Sequence, residues 1–133
     1  MALPAELEAA LRRWVEAIEA KDLAGLRAAF RDRDDLVVFW TNGERNIGWE
    51  QVRAHIEADL RPEVALRIET DDPRHTSLGA DAATLTFRYR ITLTVHGDST
   101  TLDRLASMSL HRDAAGWRIA ALHLSSPPGS RAG

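Results

Sequence analysis

Residues 83–96 read Ala-Thr-Leu-Thr-Phe-Arg-Tyr-Arg-Ile-Thr-Leu-Thr-Val-His and carry the clearest structural pattern in the chain. Apolar and polar side chains alternate along it with a period of two, the period of a β-strand whose faces meet different surroundings. The apolar positions are Leu85, Phe87, Tyr89, Ile91, Leu93 and Val95, and the polar positions are Thr86, Arg88, Arg90, Thr92 and Thr94. The pattern predicts a long antiparallel strand with one face in the core. The polar face suits either solvent or a polar dimer interface, since threonine fits a half-buried pleated surface.

Further strands flank this one on both sides. Gly97-Asp98 predicts a turn into a strand over 100–112, and residues 113–116 predict a turn into a last strand over 117–125. Upstream, residues 63–70 predict another strand. The second half of the chain is therefore a meander of antiparallel strands.

Helical spacing dominates the first half. Leu7, Leu11, Trp14 and Ile18 lie on one helical face and predict a helix over 5–20. Shorter apolar patterns predict a second helix over 23–30 and a third over 49–60, which Pro62 ends.

A β-hairpin is predicted between the second and third helices. The β-forming run 36–41 is followed by Asn42-Gly43, which favours a type I′ turn, and residues 44–47 form the returning strand. The resulting order, α-α-β-β-α-β-β-β-β, predicts an α+β layer fold with helices on one face of a curved sheet.

Composition fits one globular domain of 133 residues, 44% hydrophobic and 28% charged. We predict the domain over 1–126 and a disordered Pro/Gly/Ser-rich tail over 127–133. The chain has no cysteine, which excludes disulfides, thiolate zinc sites and a cysteine nucleophile. A net charge of −3 argues against nucleic acid or an anionic membrane as the main partner. Without a signal-peptide pattern or a long apolar run, we expect a cytoplasmic location.

Three segments, in order, resemble the nuclear transport factor 2-like superfamily and within it the SnoaL-like group. The first is Trp14-Val-Glu-Ala-Ile-Glu-Ala-Lys-Asp-Leu-Ala-Gly-Leu, similar to the helix, "x-x-gD", helix opening. The second is Gly43-Glu-Arg-Asn-Ile-Gly-Trp-Glu-Gln-Val-Arg, similar to the hairpin, glycine and third helix. The third is Arg112-Asp-Ala-Ala-Gly-Trp-Arg-Ile-Ala-Ala-Leu-His-Leu-Ser, similar to the closing strand.

The resemblance implies a cone-like roll, in which three N-terminal helices close an apolar cavity against a strongly bent antiparallel or mixed sheet. It also implies a homodimer formed through the sheet. It does not imply one activity, because this fold hosts isomerases, dehydratases, cyclases, epoxide hydrolases, kinase-association hubs and carriers.

The resemblance places tryptophans where isomerase-like members carry their acid and base. Trp14 takes the position of an oxyanion-binding tyrosine and Trp40 lies near that of an aspartate base, so both are expected in the core or cavity wall. Tyr89 and Ser107 fall near the wall position at which hub-like members use an arginine, so no carboxylate-binding pocket is predicted. The predicted ligand-binding residues are Trp14, Trp40, Trp49, His55, Tyr89, Ser107 and His123.

Few residues are candidates for catalysis. Asp103 and His123 have strand parities compatible with the cavity mouth, and His55 flanks the apolar stripe of the third helix. Arg67 and Glu69 share one strand face, as a water-activating pair would, although such alternation also suits solvent. Histidine spacing suggests no metal site, and no phosphate loop or dinucleotide motif indicates a cofactor.

Three functions stay open from the sequence. The first is binding of a small, mostly apolar molecule in an aromatic-lined cavity, with cofactor-free acid/base chemistry if the protein is an enzyme. The second is a dimeric association module without catalysis. The third is a hydrolase or dehydratase that uses Asp103 or the Arg67/Glu69 pair with a histidine.

Overall fold

A computed structural model describes residues 3–129. Its helices are α1 (Ala5–Ala20), α2 (Leu23–Ala29) and α3 (Trp49–Asp59). Its strands are β1 (Val37–Phe39), β2 (Arg45–Ile47), β3 (Ala65–Ser77), β4 (Ala82–Val95), β5 (Asp98–Asp113) and β6 (Gly116–Ser125). This is the predicted order of elements, and the predicted α+β architecture is confirmed. Of the predicted tail, residues 130–133 lie outside the described residues.

The six strands form one mixed sheet in the order β2-β1-β6-β5-β4-β3. The β1 strand runs parallel to β6, and the other neighbours are antiparallel. Because β2 and β3 are edges, the sheet is not closed into a barrel. Residues His96 and Gly97, both at positive φ, make the two-residue turn between β4 and β5, one residue earlier than predicted.

The helices cover one face of the sheet, which we call the inner face; the opposite face is the outer face. Leu85, Phe87 and Tyr89 on β4 are buried on the inner face with Trp14 of α1. The polar residues of β4 therefore lie on the outer face, as their alternation predicts. At the sheet edge, a Glu19 carboxylate oxygen accepts a 2.8 Å hydrogen bond from the backbone N–H of Ile68 and ties α1 to β3.

The β1–β2 connection differs from the predicted type I′ turn. The Gly43 N–H donates to the Trp40 carbonyl (2.9 Å), and the Trp40 N–H donates to the Glu44 carbonyl (2.9 Å). Gly43 has a φ of 89°, whereas Asn42 stays at negative φ. This is the longer loop with glycine in the left-handed position, since a type I′ turn needs positive φ at both central residues.

Two irregularities shift strand parity. In β3, the pairing with β4 slips between Asp71 and Arg74, and the strand continues through Pro73 to Ser77 instead of ending near residue 70. In β6, Ser109 pairs with Ala121 but Leu110 pairs with Ile119, which leaves an extra residue on β6. Such bulges reverse which side chains face the core.

No helix within residues 3–129 has both the length and the apolar character needed to cross a bilayer.

Candidate functional site

A mostly apolar cavity of about 240 Å³ lies between the helices and the inner face of β3–β6. Its walls are leucine and isoleucine side chains together with Trp14 of α1 and Phe30, which follows α2. This volume corresponds to about eight water molecules at liquid density, which suits a small ligand. The polar residues on its wall are Trp40, Thr41, Asp59, Tyr89 and Arg104.

The Trp14 ring forms one wall of the cavity. It is 2% exposed and contacts Phe87 and Tyr89 edge-on, with ring centroids 5.8 Å and 6.0 Å away. Aromatic rings prefer such edge-to-face arrangements, which hold them in fixed orientations. Trp14 is thus a rigid apolar surface, as expected from its position in the sequence.

The second predicted wall residue, Trp40, lies at the cavity mouth. Its Nε1–H donates a 2.7 Å hydrogen bond to Oδ1 of Asn46. Its ring stacks on His55 with centroids 4.0 Å apart and an interplanar angle of 3°. The Nε2 atom of His55 lies 3.1 Å from Oδ2 of Asp59, and its Nδ1 lies 3.6 Å from Oε2 of Glu44. The hairpin loop and the end of α3 are thereby joined beside the cavity.

Tyr89 projects from β4 onto the inner wall, where it is 7% exposed. Burial raises the pKa of Tyr89 to about 12, and the positive charge of Arg104 opposes that rise. The phenol therefore keeps its proton across the physiological range. It can donate a hydrogen bond to a ligand but cannot serve as a general base there.

Arg104 is a wall residue that the sequence reasoning missed. It is 3% exposed, lies directly opposite Tyr89 in the β4–β5 register, and donates from Nη1 to the Asp103 carbonyl at 2.8 Å. Strand parity could have found it, because Arg104 is in phase with Ala106 and Met108, which are buried. From the sequence no carboxylate-binding pocket was predicted, and the structure places the Arg104 side chain on the cavity wall.

Three predicted residues lie away from the cavity. Trp49 is packed in the core against Phe30, with centroids 5.9 Å apart. Ser107 and His123 pair with each other on the outer face, where the His123 ring contacts Phe39 at 5.2 Å. The extra residue in β6 explains why the His123 side chain lies on the outer face. It reverses the facing of the side chains that follow Ile119.

The remaining catalytic candidates are also on the outer face. Asp103 is exposed and pairs with Arg90 at 3.3 Å. Arg67 and Glu69 are exposed on β3, 3.7 Å apart. The sheet separates all three from His55, which packs at the cavity mouth. A site that combines them with that histidine is therefore contradicted by the geometry.

The outer face is otherwise polar at one end and apolar at the other. Threonine and serine hydroxyls pair across β4 and β5, as between Thr94 and Ser99 at 2.7 Å. At the other end, Phe39 and Ile47 are 37% and 43% exposed. Within residues 3–129, no three histidine or acidic side chains are grouped as metal ligands would be.

The sequence and the fold of the chain are similar to those of known proteins. The model of the SnoaL-like domain matches residues 7–129. No curated protein matches the chain. A nuclear transport factor 2-like superfamily protein from Salmonella enterica serovar Typhimurium superposes with a TM-score of 0.83 at 19% identity, over 96% of this chain and 93% of that one.

Two further solved structures share the fold. A candidate dehydratase of the NTF2-like family from Streptomyces avermitilis has a TM-score of 0.82 at 16% identity, covering 93% of this chain and 95% of that chain. A candidate calcium/calmodulin-dependent protein kinase II association domain from Xanthomonas campestris has a TM-score of 0.80 at 22% identity, covering 97% and 94%. At these identities the likeness concerns the fold alone.

Proposed function

The chain belongs to the SnoaL-like domain family, and we propose that it binds a small, mostly apolar molecule in the cavity between its helices and sheet. The observation that carries the proposal is the cavity of about 240 Å³, walled by Trp14, Tyr89 and aliphatic side chains. Ligand sites are commonly concave and apolar with a few placed polar groups. Here those groups include Tyr89, Arg104 and Asp59.

An apolar ligand gains free energy by leaving water for such a cavity, at about 25 cal/mol for each Å² of apolar surface removed from water. The rigid edge-on contacts of Trp14 reduce the cost of ordering the wall on binding. Acid/base chemistry at this site would use Asp59, the acidic residue on the described cavity wall, whose carboxylate is largely exposed and has its Oδ2 atom 3.1 Å from Nε2 of His55. Binding does not depend on that step.

The binding proposal is tested by filling the cavity. Leu102 is half-buried on the cavity wall, so Leu102→Trp should occupy the space that a ligand needs. Leu78→Trp adds the same ring at a residue that is 60% exposed in the β3–β4 hairpin, and it serves as the control. Calorimetric titration with ethylbenzene should show binding to the wild type and to Leu78→Trp, and at least tenfold weaker binding to Leu102→Trp. Equal binding to Leu102→Trp, or none to the wild type, would contradict the proposal.

We also propose that the outer face forms a homodimer. The exposed side chains of Phe39 and Ile47 support this, since they form part of an apolar surface next to His123. Away from this apolar surface, the outer face carries charges of both signs, since Arg90 on β4 lies between Glu69 on β3 and Asp103 on β5. Such a surface can face a symmetric copy of itself.

Sedimentation velocity at micromolar concentration tests the dimer. The wild type should sediment as a dimer, and Phe39→Arg should sediment as a monomer because it places a charge in the apolar part of the interface. Leu78→Arg introduces the same charge on the exposed hairpin and should leave the dimer intact. A monomeric wild type would refute this proposal, and a ring-sized assembly would favour an association module instead.

A further inference from the structure

One part of the cavity wall is a loop and not a helix or a strand. Residues 40–44, which we call the mouth loop, join β1 to β2. Trp40 and Thr41 at its start are half-buried and line the cavity, whereas the three residues that follow are exposed. The mouth loop therefore has the cavity on one side and solvent on the other. A ligand that passes at this point must displace it.

Hydrogen bonds within the hairpin hold the mouth loop together. The Trp40 N–H donates to the Glu44 carbonyl at 2.9 Å, and the Gly43 N–H donates to the Trp40 carbonyl at 2.9 Å. The Glu44 N–H donates to Oδ1 of Asn42, also at 2.9 Å. The Trp40 indole in turn donates to Oδ1 of Asn46 on β2 at 2.7 Å. These bonds make the loop and the Trp40 ring one unit.

His55 meets this unit from the side of α3. Its Nε2 lies 3.1 Å from Oδ2 of Asp59, which is one helical turn further along the same helix. This contact holds the imidazole on α3, with its face against the Trp40 ring at a centroid distance of 4.0 Å and an interplanar angle of 3°. His55 lies behind Trp40, outside the cavity wall, and so acts on the cavity through the tryptophan.

The contacts across the mouth are weaker than those on either side of it. Apart from the ring stack, Oε2 of Glu44 lies 3.6 Å from Nδ1 of His55, which is longer than an ordinary hydrogen bond. A neutral imidazole has one N–H and can donate to only one of two carboxylates. The base of the hairpin is attached more firmly, since the Ile47 N–H donates to Oε1 of Gln51 at 2.8 Å. The loop can therefore part from α3 while the base of the hairpin stays in place.

We propose that the mouth loop is a lid, closed by the stack of Trp40 on His55, and that the cavity ligand enters and leaves between this loop and α3. This proposal rests on the proposed binding function and specifies how the ligand reaches its site. Loops that close over a site shield the bound molecule from water. An apolar ligand gains from closure, because the part of its surface at the mouth is then also removed from water. His55 is a positioning residue in this account.

A lid has a kinetic signature that a contact with the ligand lacks. Weakening the closed state makes opening more frequent in the free protein and in the complex alike. Association and dissociation then become faster by the same factor, and Kd stays unchanged. Loss of a contact with the ligand instead acts mainly on dissociation, so that the dissociation rate and Kd rise together.

The test measures both rate constants by fluorine nuclear magnetic resonance line shapes with para-fluoroethylbenzene as the probe. His55→Leu removes the stacked ring and should raise both rates roughly 2- to 10-fold, the factor that corresponds to one aromatic pair. His55→Phe keeps a ring at this position and should stay within about twofold of the wild type. Asn46→Ala frees the Trp40 indole from β2 and should also raise both rates. His75→Leu makes the same change on β3, away from the cavity wall, and should alter neither rate.

The outcomes separate the lid from the binding function on which it rests. If the probe binds the wild type and exchanges at the same rates in His55→Leu and Asn46→Ala, the lid is overturned while cavity binding stands. Faster dissociation alone, with weaker binding, would also overturn the lid, because His55 would then support the wall that the ligand contacts. If the probe does not bind the wild type, cavity binding fails and the lid with it. Asn46 lies on a different element from His55, so its variant decides the case if His55→Leu does not fold.

Discussion

The single tyrosine of the chain provides a direct test of whether the cavity wall is buried as described. In the folded protein Tyr89 should titrate with a pKa of about 12, compared with the ordinary value of 10.0, because burial disfavours the phenolate. Tyrosinate absorbance reports this residue alone. In urea the same chain should titrate near the ordinary value.

The raised pKa makes folding stability depend on pH. Between the unfolded pKa of 10.0 and the folded pKa of about 12, the unfolded chain has lost the phenolic proton while the folded chain still holds it. The folded state therefore binds more protons, and stability falls as the pH rises through this window. Two pH units at about 1.4 kcal/mol each give a loss of about 3 kcal/mol. Below pH 10 this contribution is fully present.

The assay follows tyrosinate absorbance and far-ultraviolet circular dichroism on the same alkaline titration, with urea unfolding at several pH values. Tyr89→Phe should lose about 3 kcal/mol less stability over this window than the wild type does. Arg104→Met should raise the Tyr89 pKa further, because the positive charge of Arg104 lowers it. Tyrosinate formation near pH 10 in a chain that is still folded would show that Tyr89 is open to water and that this part of the cavity wall is not buried.

Three other substitutions, the first of them with a matched control, test the fold around the site. Leu85→Ala should cost about 2–5 kcal/mol in urea unfolding because the side chain is fully buried, whereas Leu78→Ala at the exposed hairpin should change stability by less than about 0.5 kcal/mol. Asp22→Ala should cost about 1 kcal/mol by the same measurement, since its carboxylate accepts a backbone hydrogen bond at the start of α2; no loss would contradict that capping role. His55→Ala should shift tryptophan emission to longer wavelength, because it uncovers the stacked ring of Trp40; an unchanged spectrum would contradict the stacking.

Where one physical signal dominated, the fold could be predicted from the sequence. The alternation in β4 is unbroken over most of its length, and a strand with one buried face has no other arrangement that satisfies it. The three helices could be predicted in the same way, because the apolar residues of each helix fall on one face. The type I′ turn at Asn42-Gly43 was wrong because the dipeptide also fits a longer loop with glycine alone at positive φ.

The site was harder to predict because bulges interrupt the apolar and polar alternation. That alternation is what indicates which face of the sheet a side chain lies on. His123 shares sequence parity with Ile119, yet the extra residue in β6 sends the two to opposite faces. Arg104 was missed for a different reason. A charged residue among apolar ones is easily taken as the end of a buried strand face. Arg104, however, alternates in register with the buried residues Ala106 and Met108 of β5, which shows that it lies on the inner face. The resemblance pointed instead to Tyr89, which lies directly opposite this arginine on β4, and to Ser107, which is three residues further along β5.

The claim that the cavity is the binding site is tested most directly by nuclear magnetic resonance of the four tryptophan indole N–H groups. Addition of ethylbenzene should move the signals of Trp14 and Trp40, which line the cavity. The signal of Trp117 should stay in place, since its indole donates to Glu6 at 2.7 Å, away from the cavity wall. Movement of Trp117 without Trp14, or no movement at all, would contradict the account.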